Sequence, residues 1–178
     1  MRRCLAVLLA VACVAAVEPI DDYQYDRATR CVSKPTAGAK SMVRWLKRNS
    51  RGQFWGIMRC EKLSKRSYSL HSEGRAIDWH LDARKPRDRR AAKKLIDRFL
   101  APDRSGNPHA LARRMGVQEL IWNCRSWWSG SEGMEPYSQC YDRRGRRRGN
   151  VNRTLAHRDH IHIGLNRAGA RKRTSHWR

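Results

Sequence analysis

The sequence is poor in acidic residues and has no internal repeats. Asp and Glu number 16 against 39 Lys and Arg in 178 residues, which gives a formal net charge of +23. Such a field attracts polyanions, including nucleic acid, anionic lipid and anionic cell-wall polymer, but the charge alone does not choose among them. The length is ordinary for one domain with its own core.

Long apolar runs are also missing, except at the N-terminus, where one extends from Cys4 to Val17 behind two arginines. It is too short to span a bilayer comfortably and is typical of a secretion signal. We therefore expect a signal peptide over residues 1–16 and a secreted protein of the cell envelope. A retained anchor and lipid attachment at Cys13 are the alternatives.

None of the cysteines has the close Cys-x-x-Cys spacing that a structural zinc site normally uses. Removal of the signal leaves four, an even number in a chain that enters an oxidising compartment. We predict two disulfides, Cys31–Cys60 and Cys124–Cys140, because each closes a local loop. The other pairings and a four-cysteine zinc site remain open.

Helical periodicity predicts two amphipathic helices, over 36–49 and 87–101, and a short third helix that ends near Gly116. Strands are predicted over 53–60 and 117–122. The pattern favours an α+β fold with a small antiparallel sheet flanked by helices.

The domain is expected to span residues 17–166. Within it, the arginine-rich stretch 143–150 is predicted to be a solvated loop. The basic residues 167–178 are predicted to form a mobile tail.

Histidine and aspartate are concentrated in two stretches, SLHSEGRAIDWHLDA (69–83) and AHRDHIHIGL (156–165), which hold five of the seven histidines. In each, aliphatic residues alternate with His or Asp, as expected of a strand with one buried face. If the two strands are antiparallel neighbours, Asp78 and His162 meet on the polar face. His71 precedes Asp78 by an odd number of residues, so it must reach that face from a turn, which Gly74 permits.

Two histidines and one carboxylate that converge in this way are typical of catalytic zinc, with three protein ligands and one open position. Zinc lowers the pKa of its water to about 7 and polarises a carbonyl, which is the chemistry of amide hydrolysis. The alternative is a group of ordinary polar residues on the wet face of a sheet.

The motifs also resemble a known family: zinc peptidases that include D-alanyl-D-alanine carboxypeptidases, VanY-type enzymes and phage cell-wall endopeptidases, which are structurally similar to the hedgehog signalling domain. The signature S-x-H-x-x-G-x-A-x-D matches residues 69–78, and Asp159-His160-Ile161-His162 matches the later Asp-x-x-His or His-x-His element. The resemblance implies that His71, Asp78 and His162 bind zinc. It also implies a hedgehog-like fold and peptide-bond hydrolysis in bacterial peptidoglycan.

The resemblance implies further roles. Asp159, three residues before the last ligand, would be the general base; His160 is the second candidate because strand alternation places it on the zinc face. Arg59, on the strand that precedes the motif, would hold a substrate carboxylate or an oxyanion. Ser69 would orient a ligand through a hydrogen bond, or simply end a loop.

We therefore predict a secreted, monomeric zinc peptidase, either a carboxypeptidase or an endopeptidase, without an obligate protein partner. Anionic cell-wall polymers would concentrate it on its substrate through the basic surface. Trp122, Trp127 and Trp128 could line a groove, although aromatic strand residues are more often core. Two other functions are weighed: a zinc-binding module without catalysis, and a His-metal-finger nuclease, which needs a second histidine on a following helix.

Overall fold

A computed structural model describes residues 20–65 and 67–178. The predicted signal peptide over 1–16, with Cys4 and Cys13, lies outside the described residues. Over these residues the fold is α+β, with a six-stranded antiparallel sheet, a separate two-stranded sheet and four α-helices. The predicted fold class is confirmed at this level.

The bounds of the regular elements follow the chain order. The helices are α1 (Ala37–Asn49), α2 (Pro86–Leu100), α3 (Ala110–Met115) and α4 (Arg167–Ala170). The strands are β1 (Gln53–Gly56), β2 (Lys62–Ser64), β3 (Ser67–Tyr68), β4 (Ala76–His80), β5 (Val117–Trp122), β6 (Arg125–Trp128), β7 (Glu135–Pro136) and β8 (His160–Leu165).

The large sheet has the strand order β1-β4-β8-β5-β6-β7, and every neighbouring pair is antiparallel. β4 and β8 are direct neighbours, with Asp78 opposite His162 and His80 opposite His160. The two histidine-rich stretches therefore pair as predicted. Since side chains alternate across a sheet, this register places all four of these polar residues on one face.

The other face of the sheet packs against the helices and forms the core. Strand residues Ile77, Trp79, Ile161 and Ile163 are almost fully buried there, and belong to one cluster with residues of α1 and α2. The helical members include Met42, Trp45, Leu46, Leu95 and Phe99. The predicted amphipathic helices are confirmed, and both begin and end within one residue of the predicted bounds.

Two helix ends have clear local causes. The Thr36 hydroxyl oxygen accepts a hydrogen bond from the Ala39 amide and so caps the start of α1. Gly116 ends α3 in a left-handed conformation (φ 70°), as expected for a glycine after a helix. A side chain could not replace its hydrogen, because a Cβ there would lie 2.5 Å from the Cα of Gly169.

The first strand is shorter than predicted: β1 ends at Gly56, not at residue 60. The carbonyl oxygens of Ile57 and Arg59 do not pair with a neighbouring strand. They instead accept hydrogen bonds from the side chains of His71 (2.7 Å) and Ser72 (3.3 Å). The chain here supports the turn that carries His71, which a strand prediction from the sequence could not detect.

Both predicted disulfides are present, Cys31–Cys60 and Cys124–Cys140. Two disulfides are compatible with an extracellular protein. None of the described helices has the length and apolar character needed to cross a membrane.

The basic tail packs on the domain instead of extending away from it. Residues Arg167–Ala170 form α4, and Thr174 is buried. The indole N–H of Trp177 donates to the carbonyl of Met115, and its ring packs against the core. The structure thus differs from the predicted boundary at residue 166, because small and aromatic residues within the basic stretch bind to α1 and α3. The arginines of 143–148 are exposed, as expected.

Candidate metal centre and cleft

The three predicted metal ligands come from three different elements. His71 lies in a 3₁₀ turn, Leu70–Glu73, which ends at Gly74 in a left-handed conformation (φ 61°). Asp78 is on β4 and His162 on β8. His71 and Asp78 are an odd number of residues apart, so one regular strand would place them on opposite faces. The turn instead brings His71 to the face that carries Asp78 and His162. All three side chains are buried.

The donor atoms of these residues converge tightly. The His71 Nε2 atom lies 3.1 Å from Asp78 Oδ1 and 3.1 Å from His162 Nδ1, and the latter two atoms are 3.3 Å apart. Around a tetrahedral zinc ion with bonds of about 2.0–2.1 Å, neighbouring ligand atoms lie about 3.3 Å apart. The three residues form a group that could hold a metal ion, and His160 is not part of it.

Hydrogen bonds determine which ring nitrogens could bind a cation. The His71 Nδ1 atom lies 2.7 Å from the carbonyl oxygen of Ile57, which only accepts, so Nδ1 carries a hydrogen and a metal ion would bind the ring through Nε2. Burial opposes ionisation of Asp78, but its hydrogen bonds with His162 and His71 outweigh burial and hold its pKa well below the usual range. Burial lowers the pKa of His162 to about 4. A carboxylate and two imidazoles therefore converge, and a divalent metal ion would take the place of the hydrogens that they share.

Beside this group, Asp159 and His160 form a hydrogen-bonded pair. The Nδ1 atom of His160 donates to Asp159 Oδ1 at 2.7 Å, and the Thr154 hydroxyl donates to Asp159 Oδ2, also at 2.7 Å. Within the described residues, the Nε2 atom of His160 is buried without a hydrogen-bond partner, 3.5 Å from Asp78 Oδ1. Asp159 thus sits on the far side of the His160 ring, while the free nitrogen of that ring faces the three ligands.

The carboxyl group of Asp159 is held ionised. Burial raises its pKa, but the hydrogen bonds from Thr154 and His160 outweigh burial and lower it overall. An ionised carboxylate on Nδ1 fixes the tautomer in which Nε2 accepts a proton. This geometry favours His160 over Asp159 as the group that meets a substrate, although the order of the two remains a prediction.

Arg59 lies in the segment after β1, not on the strand itself. Its Nη1 atom donates to Asp78 Oδ2 at 2.6 Å, and its Nε atom donates to Glu61 Oε2 at 3.0 Å. The side chain is about half exposed. Burial opposes the charge of Arg59, but the neighbouring Asp78 carboxylate raises its pKa overall. Arg59 thus holds a positive charge at the edge of the ligand group.

Ser69 caps the 3₁₀ turn. Its hydroxyl oxygen accepts from the backbone amide of His71 at 3.4 Å. The contact is with the main chain of the ligand, so Ser69 supports the turn as a whole.

Glu119 on β5 belongs to the site and was missed by the sequence analysis. Its Oε1 atom lies 3.4 Å from Nε2 of His162, the ring nitrogen that points away from the other ligands. The residue is only 8% exposed, and burial raises its pKa to about 8. The available signal was a glutamate within a six-residue strand that is otherwise mostly apolar, since buried glutamates are rare unless paired.

Two further histidines, His157 and His80, lie next to His160. The ring of His157 lies 4.6 Å from that of His160, and burial lowers the pKa of His157 to about 2. On the other side, Trp55 stacks on His80 with ring centroids 4.7 Å apart. All five histidines of the two motifs are thus gathered around one end of the β4–β8 pair.

A cleft of about 570 Å³ opens over the site, within the size range of small-ligand pockets. His160, His162 and Glu119 form part of its wall, with cationic Arg27 and Arg59 beside them. Its aromatic lining is Tyr25, Tyr68, Trp128 and Tyr137. Of the three tryptophans considered from the sequence, Trp128 therefore lines a groove, whereas Trp122 and Trp127 are buried in the core.

The fold and the site together define a disulfide-bonded α+β domain with a buried His–Asp–His group that can hold a metal ion. Residues 31–151, more than half of the chain, match the family model described as "VldE, C-terminal domain". The chain belongs to this family. The matched region includes His71, Asp78 and Glu119 and ends before Asp159, His160 and His162. No curated protein and no solved structure matches the chain.

Proposed function

We propose that this protein is a secreted zinc-dependent peptidase that hydrolyses peptide bonds of bacterial cell-wall peptidoglycan. The observation that carries the proposal is the convergence of His71 Nε2, Asp78 Oδ1 and His162 Nδ1 at 3.1–3.3 Å, beside a histidine whose free nitrogen faces them. The motif resemblance to D-alanyl-D-alanine carboxypeptidases and VanY-type enzymes supplies the reaction class and the substrate.

His71, Asp78 and His162 would hold the zinc ion. When bound, zinc supplies Lewis acidity, which activates water near neutral pH and polarises a substrate carbonyl. Side chains of the protein would transfer the protons and stabilise the charges that form. The Nε2 atom of His160 takes the proton of the attacking water and returns it to the leaving amine. Asp159 accepts the Nδ1 hydrogen and stabilises the charged ring while it holds that proton.

Arg59 would stabilise negative charge on the substrate. Its guanidinium already contacts Asp78 through Nη1, and it lines the cleft beside the ligand group. A fixed cation at that position can bind a substrate carboxylate or the oxygen on which charge develops. The cleft's mixture of aromatic and cationic residues suits a peptide with a polar backbone.

The surface charge fits a cell-wall substrate. Cell walls carry anionic polymers, and a net charge of +23 would concentrate the protein on them. The nuclease function finds less support: α4, which follows β8, is the four-residue helix Arg167–Ala170 and contains no histidine for a metal-finger helix.

The experiment measures metal content and cleavage together. Protein purified without chelator should contain about one zinc per chain, and mass spectrometry should detect peptide fragments released from purified peptidoglycan. His71→Ala should abolish both, whereas His176→Ala, which removes an exposed histidine, should change neither. Wild-type protein that holds zinc but cleaves neither peptidoglycan nor synthetic D-amino-acid peptides would refute the peptidase and leave a zinc-binding module. Protein without zinc would refute the metal site itself.

A further inference from the structure

The buried side chain of Glu119 has no role in the proposed chemistry, yet the residue opposite it in the sheet is a glycine that leaves room for it. Glu119 lies opposite Gly164 on β8, two residues beyond His162. A Cβ at Gly164 would lie 3.1 Å from the Cβ of Glu119 and 2.4 Å from Cδ1 of Leu70. Glycine at this position therefore leaves the space in which the glutamate side chain lies next to the His162 ring.

The His162 ring needs an acceptor on its outer nitrogen. Its Nδ1 atom faces His71 and Asp78, so a neutral ring that offers a lone pair there carries its hydrogen on Nε2. In the described part of the chain Nε2 is buried without a hydrogen-bond partner. A buried N–H without an acceptor is costly, and Glu119 Oε1 at 3.4 Å is the carboxylate beside it. A shift of a few tenths of an ångström would bring it within hydrogen-bonding distance.

We propose that Glu119 is a positioning residue for the metal: its side-chain oxygen Oε1 accepts the Nε2 hydrogen of His162 and so holds Nδ1 as the ligand atom. Carboxylates that bind the second nitrogen of a ligating histidine fix its tautomer and orientation and raise its basicity. The proposal rests on the metal site described above. It predicts that Glu119 acts on metal affinity and reaches the reaction only through His162.

The test compares zinc dissociation constants, measured by competition with a chromogenic chelator, for wild type, Glu119→Ala and Glu119→Gln. Glu119→Ala should weaken zinc binding about 10- to 100-fold. Glu119→Gln should recover part of that loss, because its amide oxygen can still accept the hydrogen. Glu135→Gln, which replaces an exposed carboxyl group on β7 of the same sheet, controls for the removal of a carboxyl group away from the site and should bind zinc as wild type does.

Nitrogen-15 NMR of the zinc-loaded protein gives a readout that a purely structural role would not move. In wild type the His162 signals should show the hydrogen on Nε2 with slow exchange, and in Glu119→Ala that hydrogen should exchange faster. If Glu119→Ala does not fold, Glu119→Gln decides through its affinity and its Nε2 exchange rate.

The possible failures are distinguishable. Wild type without zinc would remove the metal site and this proposal together. Wild type with zinc, and folded Glu119 variants of equal zinc affinity, would overturn the role of Glu119 and leave the metal site intact. Loss of cleavage at unchanged zinc affinity would also overturn it, in favour of direct contact between Glu119 and a cationic group of the substrate.

Discussion

The Asp159–His160 pair allows a double-mutant test of which residue is the general base. If His160 accepts the proton at Nε2, Asp159 acts only through the 2.7 Å hydrogen bond on Nδ1. The effect of Asp159→Asn must then depend on the presence of His160. If Asp159 were itself the base, its substitution would remain costly when His160 is absent.

The magnitudes follow from the contacts. His160→Ala removes the proton acceptor and should lower kcat/KM by about 10² to 10⁴, or about 2.7–5.4 kcal/mol. Asp159→Asn keeps an oxygen near Nδ1 but replaces a charge-assisted hydrogen bond by a neutral one. The difference is about 1–1.5 kcal/mol, or roughly tenfold in rate, and more if the amide N–H₂ turns toward the ring. In the His160→Ala background, Asp159→Asn should change the rate by less than about twofold.

The assay is steady-state cleavage of a D-amino-acid peptide by the two single variants, the double variant and wild type, each with its zinc content determined. His80→Ala is the matched control, since His80 lies opposite His160 on the same face of the sheet but, among the described residues, is not part of the group that could hold a metal ion. Two results would refute the reasoning: a His160→Ala variant within a few-fold of wild type, or an Asp159→Asn effect that persists undiminished when His160 is absent. Either would restore Asp159 as the base.

Three other predictions concern charge and stability. Arg59→Ala should lower kcat/KM about 10²-fold at unchanged zinc content, with exposed Arg144→Ala as the control; an unchanged rate would exclude a role for Arg59 in transition-state stabilisation. The Cys31→Ala/Cys60→Ala double variant should lose about 3.6 kcal/mol in urea unfolding, from the entropy of a loop with sequence separation 29, and a loss below about 1 kcal/mol would contradict this estimate. Burial raises the pKa of Asp88, but hydrogen bonds from the Asp82 amide and Arg51 outweigh burial and lower this pKa below 3.8. The stability that ionised Asp88 gives the folded protein is therefore complete above pH 3.8 and is lost as the pH falls through the folded-state pKa. Asp88→Asn should therefore destabilise the protein by roughly 1 kcal/mol at pH 7 and progressively less as the pH falls through the folded-state pKa of Asp88, and a loss that does not change with pH would contradict the assignment.

The site was largely predictable where its residues obey strand periodicity. Alternation of aliphatic and polar residues placed Asp78 and His162 on one face of neighbouring strands, and their pairing in the structure follows from it. A slip of one residue would move both side chains into the core, so the aliphatic face fixes the register strongly. His71 could be placed in a turn because its separation from Asp78 is odd.

Other features of the structure could not be predicted from the sequence pattern. β5 is buried along its whole length, so its residues show no alternation that would mark Glu119 as facing the site. The early end of β1 depends on side chains of a later turn, which donate hydrogen bonds to the carbonyl oxygens of Ile57 and Arg59. The packing of residues 167–178 depends on close approach between glycines of separate elements, such as Gly116 and Gly169. Each of these is a long-range contact, which local patterns do not encode.

The three histidines at the centre of the site share one constraint. Each must present one particular nitrogen: Nε2 for His71 and His160, and Nδ1 for His162. In each ring the opposite nitrogen faces an oxygen acceptor.

These acceptors come from three different places: the Ile57 carbonyl for His71, the preceding residue Asp159 for His160, and the adjacent strand, through Glu119, for His162. A His-x-His motif alone specifies none of these choices, because a neutral imidazole can carry its hydrogen on either nitrogen. The function of the motif therefore depends on residues that no short signature contains, and substituting the acceptors should alter the site while leaving every histidine in place.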